Sequence, residues 1–455
     1  MGLLVLLIPL VYALALTCGI GLLLCVAYKP ELGILLIVIC VCSVLSAEQL
    51  PIISIGVGSL HIPDILLLFM FCLAVKRRIF DRKVTAVTSF LEKPLALFLL
   101  VGILSAFASI MSFGLDFNNV VRILRSISYY LIVFIITSLI VTKKQIKFLV
   151  TGLFFIAAAV ALVMLMQTIV GESVPLISET LIEQAGDFNA LRLRPPGQTL
   201  LFVSLVEAIC FSVFLVDKPL LLSRYFYFVM IICIGVMLTF TRSYLVAFVF
   251  ILGFFVYLSK PDDRNRLMAL MAWCAAFILL FIVILGGSGK FENTFNAISQ
   301  RYLTLFEGKE LLQSSSLSDR YLENFYAIEQ IKKNPIFGNG LGNEYRPFLY
   351  GSEDELTYYV HNVYLWLIKD FGILGFTFFM WFYVGFLIRA MKNLDRPEDS
   401  FLKSVATGSM LAGIGMLPMA FVIPLFMEWH SIVVIAIFIG LSETIIINTN
   451  FQVEN

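Results

Sequence analysis

The chain has 455 residues, 60% of them apolar and only 14% charged, and its formal net charge is +1. Soluble domains carry about 25% charged residues, so the polar groups here cannot cover a soluble body of this size and lipid must be the solvent for much of it. Near-neutral charge without a basic stripe excludes a nucleic-acid partner.

The chain opens Met1-Gly2-Leu3-Leu4-Val5, with no basic stretch and no small-residue cleavage site. Its apolar run continues to about Val26, longer than a signal-peptide core, and predicts a retained helix. A spanning helix needs roughly 20 apolar residues. The apolar runs predict spans at 3–26, 32–47, 63–75, 94–111, 126–141, 147–170, 198–216, 225–240, 243–258, 267–286, 371–389, 402–423 and 431–448. The expected fold is therefore an all-α polytopic membrane protein with about 12–13 transmembrane helices. It divides into a membrane domain over 1–286, a long extracytoplasmic loop with amphipathic helices over 287–360, and C-terminal spans over 361–455. All eight cysteines, from Cys18 to Cys274, fall in apolar runs and read as small hydrophobes rather than a disulfide or metal framework.

Charge sets the expected orientation. The runs Lys76–Lys83, Lys143–Lys147, Lys218–Arg224, Lys260–Arg266 and Arg389–Lys403, with Lys29 and Lys93, hold more than half of the 32 basic residues and fall on one side of this threading. By the positive-inside rule that side is cytoplasmic. The long connections 171–197 and 287–360 are then extracytoplasmic, and function is expected there. No internal repeat of the transporter kind is visible.

Several arginines stand on the outer side: Arg122, Arg125, Arg192, Arg194, Arg242, Arg301, Arg320 and Arg346. A guanidinium fork matches phosphate oxygens; an ion pair with a neighbouring carboxylate is the structural alternative. Arg242 interrupts the apolar run Tyr225–Ser259, which is too long for one span and predicts a hairpin turning near Thr239–Arg242 at the outer interface. Arg192-Leu193-Arg194-Pro195-Pro196-Gly197 precedes a span and can reach the same interface. Glu207 lies near mid-helix, as a functional carboxylate or a structural one. Ser318 is expected to cap an amphipathic helix that places Tyr321, Phe325, Ile328 and Ile331 on one face. Arg320 would then lie in its first turn, where free N–H groups favour an anion, or pair with Asp319 or Glu323.

The chain has three histidines. His61 and His430 have no ligand-like neighbours, and no HExxH pattern or Cys/His cluster is present, so no metal and no cofactor is expected. His361 stands where the outer loop re-enters the membrane, as a candidate proton acceptor or a solvated helix-start histidine. Pro335-Ile336-Phe337-Gly338-Asn339-Gly340-Leu341-Gly342 lacks the Lys-Ser/Thr of a nucleotide loop and reads as a tight glycine turn closing a helix.

Taken together, Ser-x-Arg opening a helix, Asn-Pro-x-x-Gly-x-Gly, a variable loop, then His-Asn-x-Tyr-Leu with a Gly372–Gly375 span resemble the O-antigen ligase / O-antigen polymerase superfamily. Leu238-Thr239-Phe240-Thr241-Arg242-Ser243 is similar to its Thr-x-Ser-Arg element, with Thr241 for serine. The resemblance implies a glycosyltransferase of a bacterial cytoplasmic membrane, working on its extracytoplasmic side. It would move a glycan from undecaprenyl diphosphate to an acceptor hydroxyl on a glycan or lipid-linked acceptor, without metal or nucleotide. His361 would be the catalytic base, and Arg242 and Arg320 the diphosphate ligands, with Arg192 or Arg194 as a third contact. Inversion at the anomeric carbon is implied. A protein O-oligosaccharyltransferase of the same family and a lipid-glycan transporter are the alternatives.

Overall fold

The computed structural model describes residues 17, 19–45, 49, 52–55, 58–80, 89–171, 174–177, 182–185, 190–215, 219–286, 296–300, 315–347 and 357–448. Among them every expected span coincides with a helix: α1 (Gly19–Tyr28), α2 (Pro30–Cys42), α3 (Ile62–Phe80), α4 (Glu92–Met111), α5 (Phe117–Ser128) with α6 (Leu131–Leu139), α7 (Lys143–Val170), α8 (Gln198–Phe214), α9 (Arg224–Leu238), α10 (Arg242–Leu258) and α11 (Pro261–Gly286). After helix α12 (Ser315–Lys333) come α13 (Val363–Lys392), α14 (Ser400–Met419) and α15 (Trp429–Ile447). Among the described residues six helices, counting α5 and α6 as one, are long and apolar enough by themselves to cross a membrane, and several others are shorter apolar helices. The chain is an all-α polytopic membrane protein. Most of the first expected span, residues 1–16, and Cys18 lie outside the described residues.

A helix apolar all round is a buried one. Helices α8, α14 and α15 are buried along nearly their whole length, and the others wrap around them. Small residues on α14 allow the approach: a Cβ at Gly413 would meet the Phe386 ring at 2.9 Å, and Gly408 abuts the carboxyl of Glu207.

Counting α5 and α6 as one, successive spans alternate in direction, and contacts between their ends gather at two poles. One pole is basic and tied together by its charges. Arg78 grips Glu92 through two guanidinium nitrogens at 2.7 and 2.6 Å, Lys143 pairs with Asp399 at 2.7 Å, and Arg389 Nε donates to Glu443 Oε2 at 2.9 Å. The opposite pole carries Arg122, Arg125, α12 and the starts of α13 and α15.

The structure differs from the sequence expectations in four places. The span expected at 126–141 begins at Phe117 and breaks at Tyr129–Tyr130, so Arg122 and Arg125 ride on its first part. Two short β-hairpins, unforeseen, pair Ile52–Ile55 with Gly58–His61 and Ile182–Ala185 with Ala190–Leu193. Helix α12 begins at Ser315, so Ser318 is not its cap and Arg320 stands in the second turn. The face of α12 bearing Tyr321, Phe325 and Ile328 is exposed, whereas Glu323 and Ala327 are buried. The inward face sets Glu323 against His361 and Arg346, while Ala327 and Tyr326 join the apolar core.

Helix α13 is kinked at Gly372 (φ 69°, ψ −177°). Breaking a helix strands backbone groups that need partners, and the Asn-Pro-x-x-Gly segment supplies them. Ile373 N–H donates to Pro335 O at 2.8 Å and Leu374 N–H to Ile336 O at 3.2 Å, while Asn339 N–H donates to Lys369 O at 2.8 Å. From α4, Ser105 Oγ donates to Asp370 O at 3.0 Å, and Ser109 Oγ accepts from Leu341 N–H at 2.7 Å. Gly338 has φ 79°, and a Cβ there would run into the Asp370 carbonyl. The glycine motif is thus a plug seated in the kink rather than a loop around a ligand.

Candidate active site

The site is built at the pole opposite the basic one, from the seated loop upward. Past the plug, Tyr345 OH donates to Tyr359 O at 2.9 Å. Tyr359 OH in turn donates to Glu428 Oε1 at 2.6 Å. Asn362 caps α13: its Oδ1 accepts from Tyr364 N–H at 3.1 Å and Leu365 N–H at 3.3 Å. Val363 N–H donates to Ala420 O at 2.9 Å and Tyr364 OH to Leu417 O at 2.7 Å. In the His-Asn-x-Tyr motif the Asn therefore caps α13, while the Tyr, with the Val363 N–H, ties the start of α13 to the end of α14; together they hold His361 just ahead of the helix.

His361 faces α12. Its Nδ1 lies 2.9 Å from Glu323 Oε2, and its backbone N–H donates to the same oxygen at 3.3 Å. The other carboxylate oxygen, Oε1, is 3.3 Å from Arg346 Nη2. The Glu323 and Arg346 side chains are only 3% and 4% exposed, whereas the imidazole keeps 24% of its surface. Burial pushes the Glu323 carboxyl up, but the hydrogen bond to His361 and the charges of His361 and Arg346 outweigh it and hold the group below the usual glutamate value. Arg346 Nε and Nη2 are both buried with no hydrogen-bond partner, so its contact with Glu323 is an ion pair without hydrogen-bond geometry. The Tyr359 ring meets the imidazole edge-on at 5.1 Å between centroids.

Arg320 is three residues before Glu323 on α12, hence on neighbouring positions of one helix face; it is half-buried. Glu323, which reads from the sequence as a partner for Arg320, is hydrogen-bonded to His361 and paired with Arg346.

The hairpin expected at Thr239–Arg242 is present between α9 and α10. Phe240 has φ 53°, a left-handed conformation that costs a residue with a Cβ about 1–3 kcal/mol. Its ring is 1% exposed and packs with Met237, Ala297 and Ile298, which holds the turn in that shape. Arg242 is the first residue of α10, half-buried, with Nε buried and without a hydrogen-bond partner. The argument for an anion at a helix start therefore applies to Arg242, where free N–H groups and a guanidinium share one end.

Arg192 stands on the second strand of the 182–193 hairpin, and its Nε donates to Thr239 O at 3.3 Å. It is thus brought to the Arg242 turn. Arg194 is half-buried where the chain enters α8. Two other outer arginines have structural partners: Arg122 donates to Tyr358 OH at 3.0 Å, and Arg125 lies 5.1 Å from the Trp429 ring centroid. Arg301 lies outside the described residues. His61 is buried beside Trp429, and His430 begins α15 with Nε2 3.7 Å from Glu428. Glu207 is fully buried between helices, accepting from Ser409 Oγ at 2.9 Å. Among the described residues no group of three or more His, Cys, Asp or Glu side chains is placed to hold a metal ion.

Residues 227–380 match the family model of the O-antigen ligase. The match runs from α9 into α13 and takes in Arg242, Arg320, Glu323, the glycine plug and His361; Arg192 and Arg194 precede it. Comparison of the chain with curated proteins gives no match.

Proposed function

We propose that this chain, whose residues 227–380 form an O-antigen ligase-family domain, transfers a glycan from a polyprenyl diphosphate to an acceptor hydroxyl. The observation that carries the reading is a coincidence of place. Arg242, Arg320 and His361 all fall in the matched segment; Glu323, on the Arg320 helix, lies 2.9 Å from His361, and Tyr244, beside the Arg242 turn, stacks on Phe202 of α8, whose first turn meets Ser431 at the start of α15. By the positive-inside rule the basic pole faces the cytoplasm, so the site faces outward from a bacterial cytoplasmic membrane.

In this reading the donor diphosphate lies between Arg242 and Arg320, with Arg192 or Arg194 beside it, and its hydrocarbon tail runs along the helices. His361 removes the acceptor proton as the hydroxyl oxygen attacks the anomeric carbon from the face opposite the diphosphate. One carbon–oxygen bond forms as the other breaks, configuration inverts, and polyprenyl diphosphate leaves with the electron pair. The arginines stabilise charge that grows on the leaving oxygen, and the imidazole raises the nucleophilicity of the acceptor.

The test is turnover by the purified protein in nanodiscs, supplied with undecaprenyl-diphosphate glycan and candidate acceptors. Release of undecaprenyl diphosphate with transfer supports the reading, and the destination of the glycan separates ligase from repeat-unit polymerase or protein glycosylation. A folded protein that binds the lipid but releases no diphosphate with any acceptor overturns it in favour of transport.

A further inference from the structure

A general base is useful only if its lone pair points at the proton to be removed. An imidazole has two nitrogens, and which one carries hydrogen is decided by the partner of the other. Nδ1 of His361 is 2.9 Å from Glu323 Oε2. That oxygen also accepts the backbone N–H of His361 at 3.3 Å, which holds main chain and ring in one orientation.

We propose that Glu323 is the positioning residue of the site: it holds His361 in the Nδ1–H form, leaving Nε2 to take the acceptor proton, while Arg346 keeps the carboxylate in place. The step rests on the transferase reading above, but the assignment of the proton does not. Charge and distance argue for it. The carboxylate is 3% exposed and its two oxygens are divided between two partners, Oε2 to His361 and Oε1 to Arg346 at 3.3 Å. An ionised carboxylate accepts only, so the hydrogen between it and the imidazole belongs to Nδ1. When the imidazole gains the acceptor proton, the resulting cation stands against an anion already buried there, so the proton is stabilised without rearrangement. Arg346 is the counter-charge that makes a buried carboxylate tolerable before that moment. Among the described residues, Arg320 stands one turn away on α12 and the Tyr359 ring lies edge-on to the imidazole, its hydroxyl donating to Glu428.

A plain structural clip between α12 and α13 would show the same contacts, so the test must read the proton. The chain contains three histidines, and 15N-histidine labelling gives a spectrum simple enough to assign by subtracting His361→Gln. The expected wild-type signal of neutral His361 is that of the Nδ1–H tautomer. In Glu323→Ala the signal should move toward the Nε2–H form. Turnover should fall by about a hundredfold or more, the scale of general-base catalysis, with the donor KM changed less than about threefold. Glu323→Gln leaves one amide oxygen for two partners and should fall between wild type and alanine in both readouts. An Nε2–H tautomer in the wild-type protein overturns the proposal and needs no variant. An alanine variant with unchanged tautomer and kcat overturns it too. If the tautomer moves as expected but no preparation transfers glycan, the transferase reading fails while the assignment of Glu323 stands.

Discussion

Replacing Gly372 by alanine tests how far the site depends on the plug in the α13 kink. At φ 69° and ψ −177° the backbone is in a region reserved for glycine, and a Cβ would run into the carbonyl of Ile336. If the loop stays seated, the strain costs about 1–3 kcal/mol before any clash is counted. If the loop lifts away, three backbone hydrogen bonds are lost: Asn339 to Lys369, Ile373 to Pro335 and Leu374 to Ile336. At about 0.5–1.5 kcal/mol each, that is roughly 1.5–4.5 kcal/mol. Either route gives about 2–4 kcal/mol, which raises the open fraction at least roughly thirtyfold. Hydrogen exchange of residues 334–342 in nanodiscs reads this directly. Protection there should drop, and turnover should drop with it, because the same loop leads from α12 to Arg346. Gly253→Ala is the control: nothing lies within 4 Å of a Cβ there, and a helix-interior alanine should leave the protein as stable or up to about 1 kcal/mol more so. Wild-type protection and rate in Gly372→Ala would refute the idea that the plug holds the site together.

Three further outcomes follow from the packing and charge. Gly408→Ala should destabilise by about 1–3 kcal/mol, because its Cβ would press on the Glu207 carboxyl; Glu207→Ala in the same chain should recover much of that, as thermal unfolding in a double-mutant cycle would show. Arg78→Lys should lower thermal stability by about 1–3 kcal/mol, since lysine cannot reproduce the two-nitrogen grip on Glu92 together with the bond to Ser138 Oγ. For Glu323 the folded-state value lies below the ordinary 4.5, so its contribution to docking α12 is complete above that value. It is lost as pH falls below 4.5 through the lower folded value. Proteolysis or hydrogen exchange of α12 should accelerate over that acidic range in the wild type, and the acceleration should be much smaller in Glu323→Gln.

What could be read from the sequence was what depends on run length and local order. Tyr225–Ser259 is too long for one span, so the turn at Arg242 was legible, and so were the spans and the clustering of basic residues at one pole. The start of α12 was not, because Ser314, Ser315, Ser316 and Ser318 are equally good caps in close succession. Its buried face was misjudged for a different reason: apolar periodicity marks the inward face only where the neighbour is apolar, and here the neighbours are His361, Arg346 and the Asn339 turn. Glu323 showed itself as a partner for Arg320, but its ties to His361 and Arg346 cross 38 and 23 positions of sequence, which no local pattern encodes. Gly372 and the Asn-Pro-x-x-Gly segment were both visible as motifs, yet the kink and the fit of one to the other are tertiary facts. The short β-hairpins at 52–61 and 182–193 carried too little alternation to be recognised.

The division of labour between binding and chemistry is the account's central claim, and donor binding measured beside turnover on the same nanodisc preparations tests it most directly. His361→Ala should bind undecaprenyl-diphosphate glycan within about threefold of wild type while turnover falls at least about a hundredfold. Arg242→Ala and Arg320→Ala should each weaken donor binding by about tenfold or more and slow turnover as well. A folded His361→Ala that transfers glycan at the wild-type rate, or arginine variants that bind and transfer unchanged, would contradict the account.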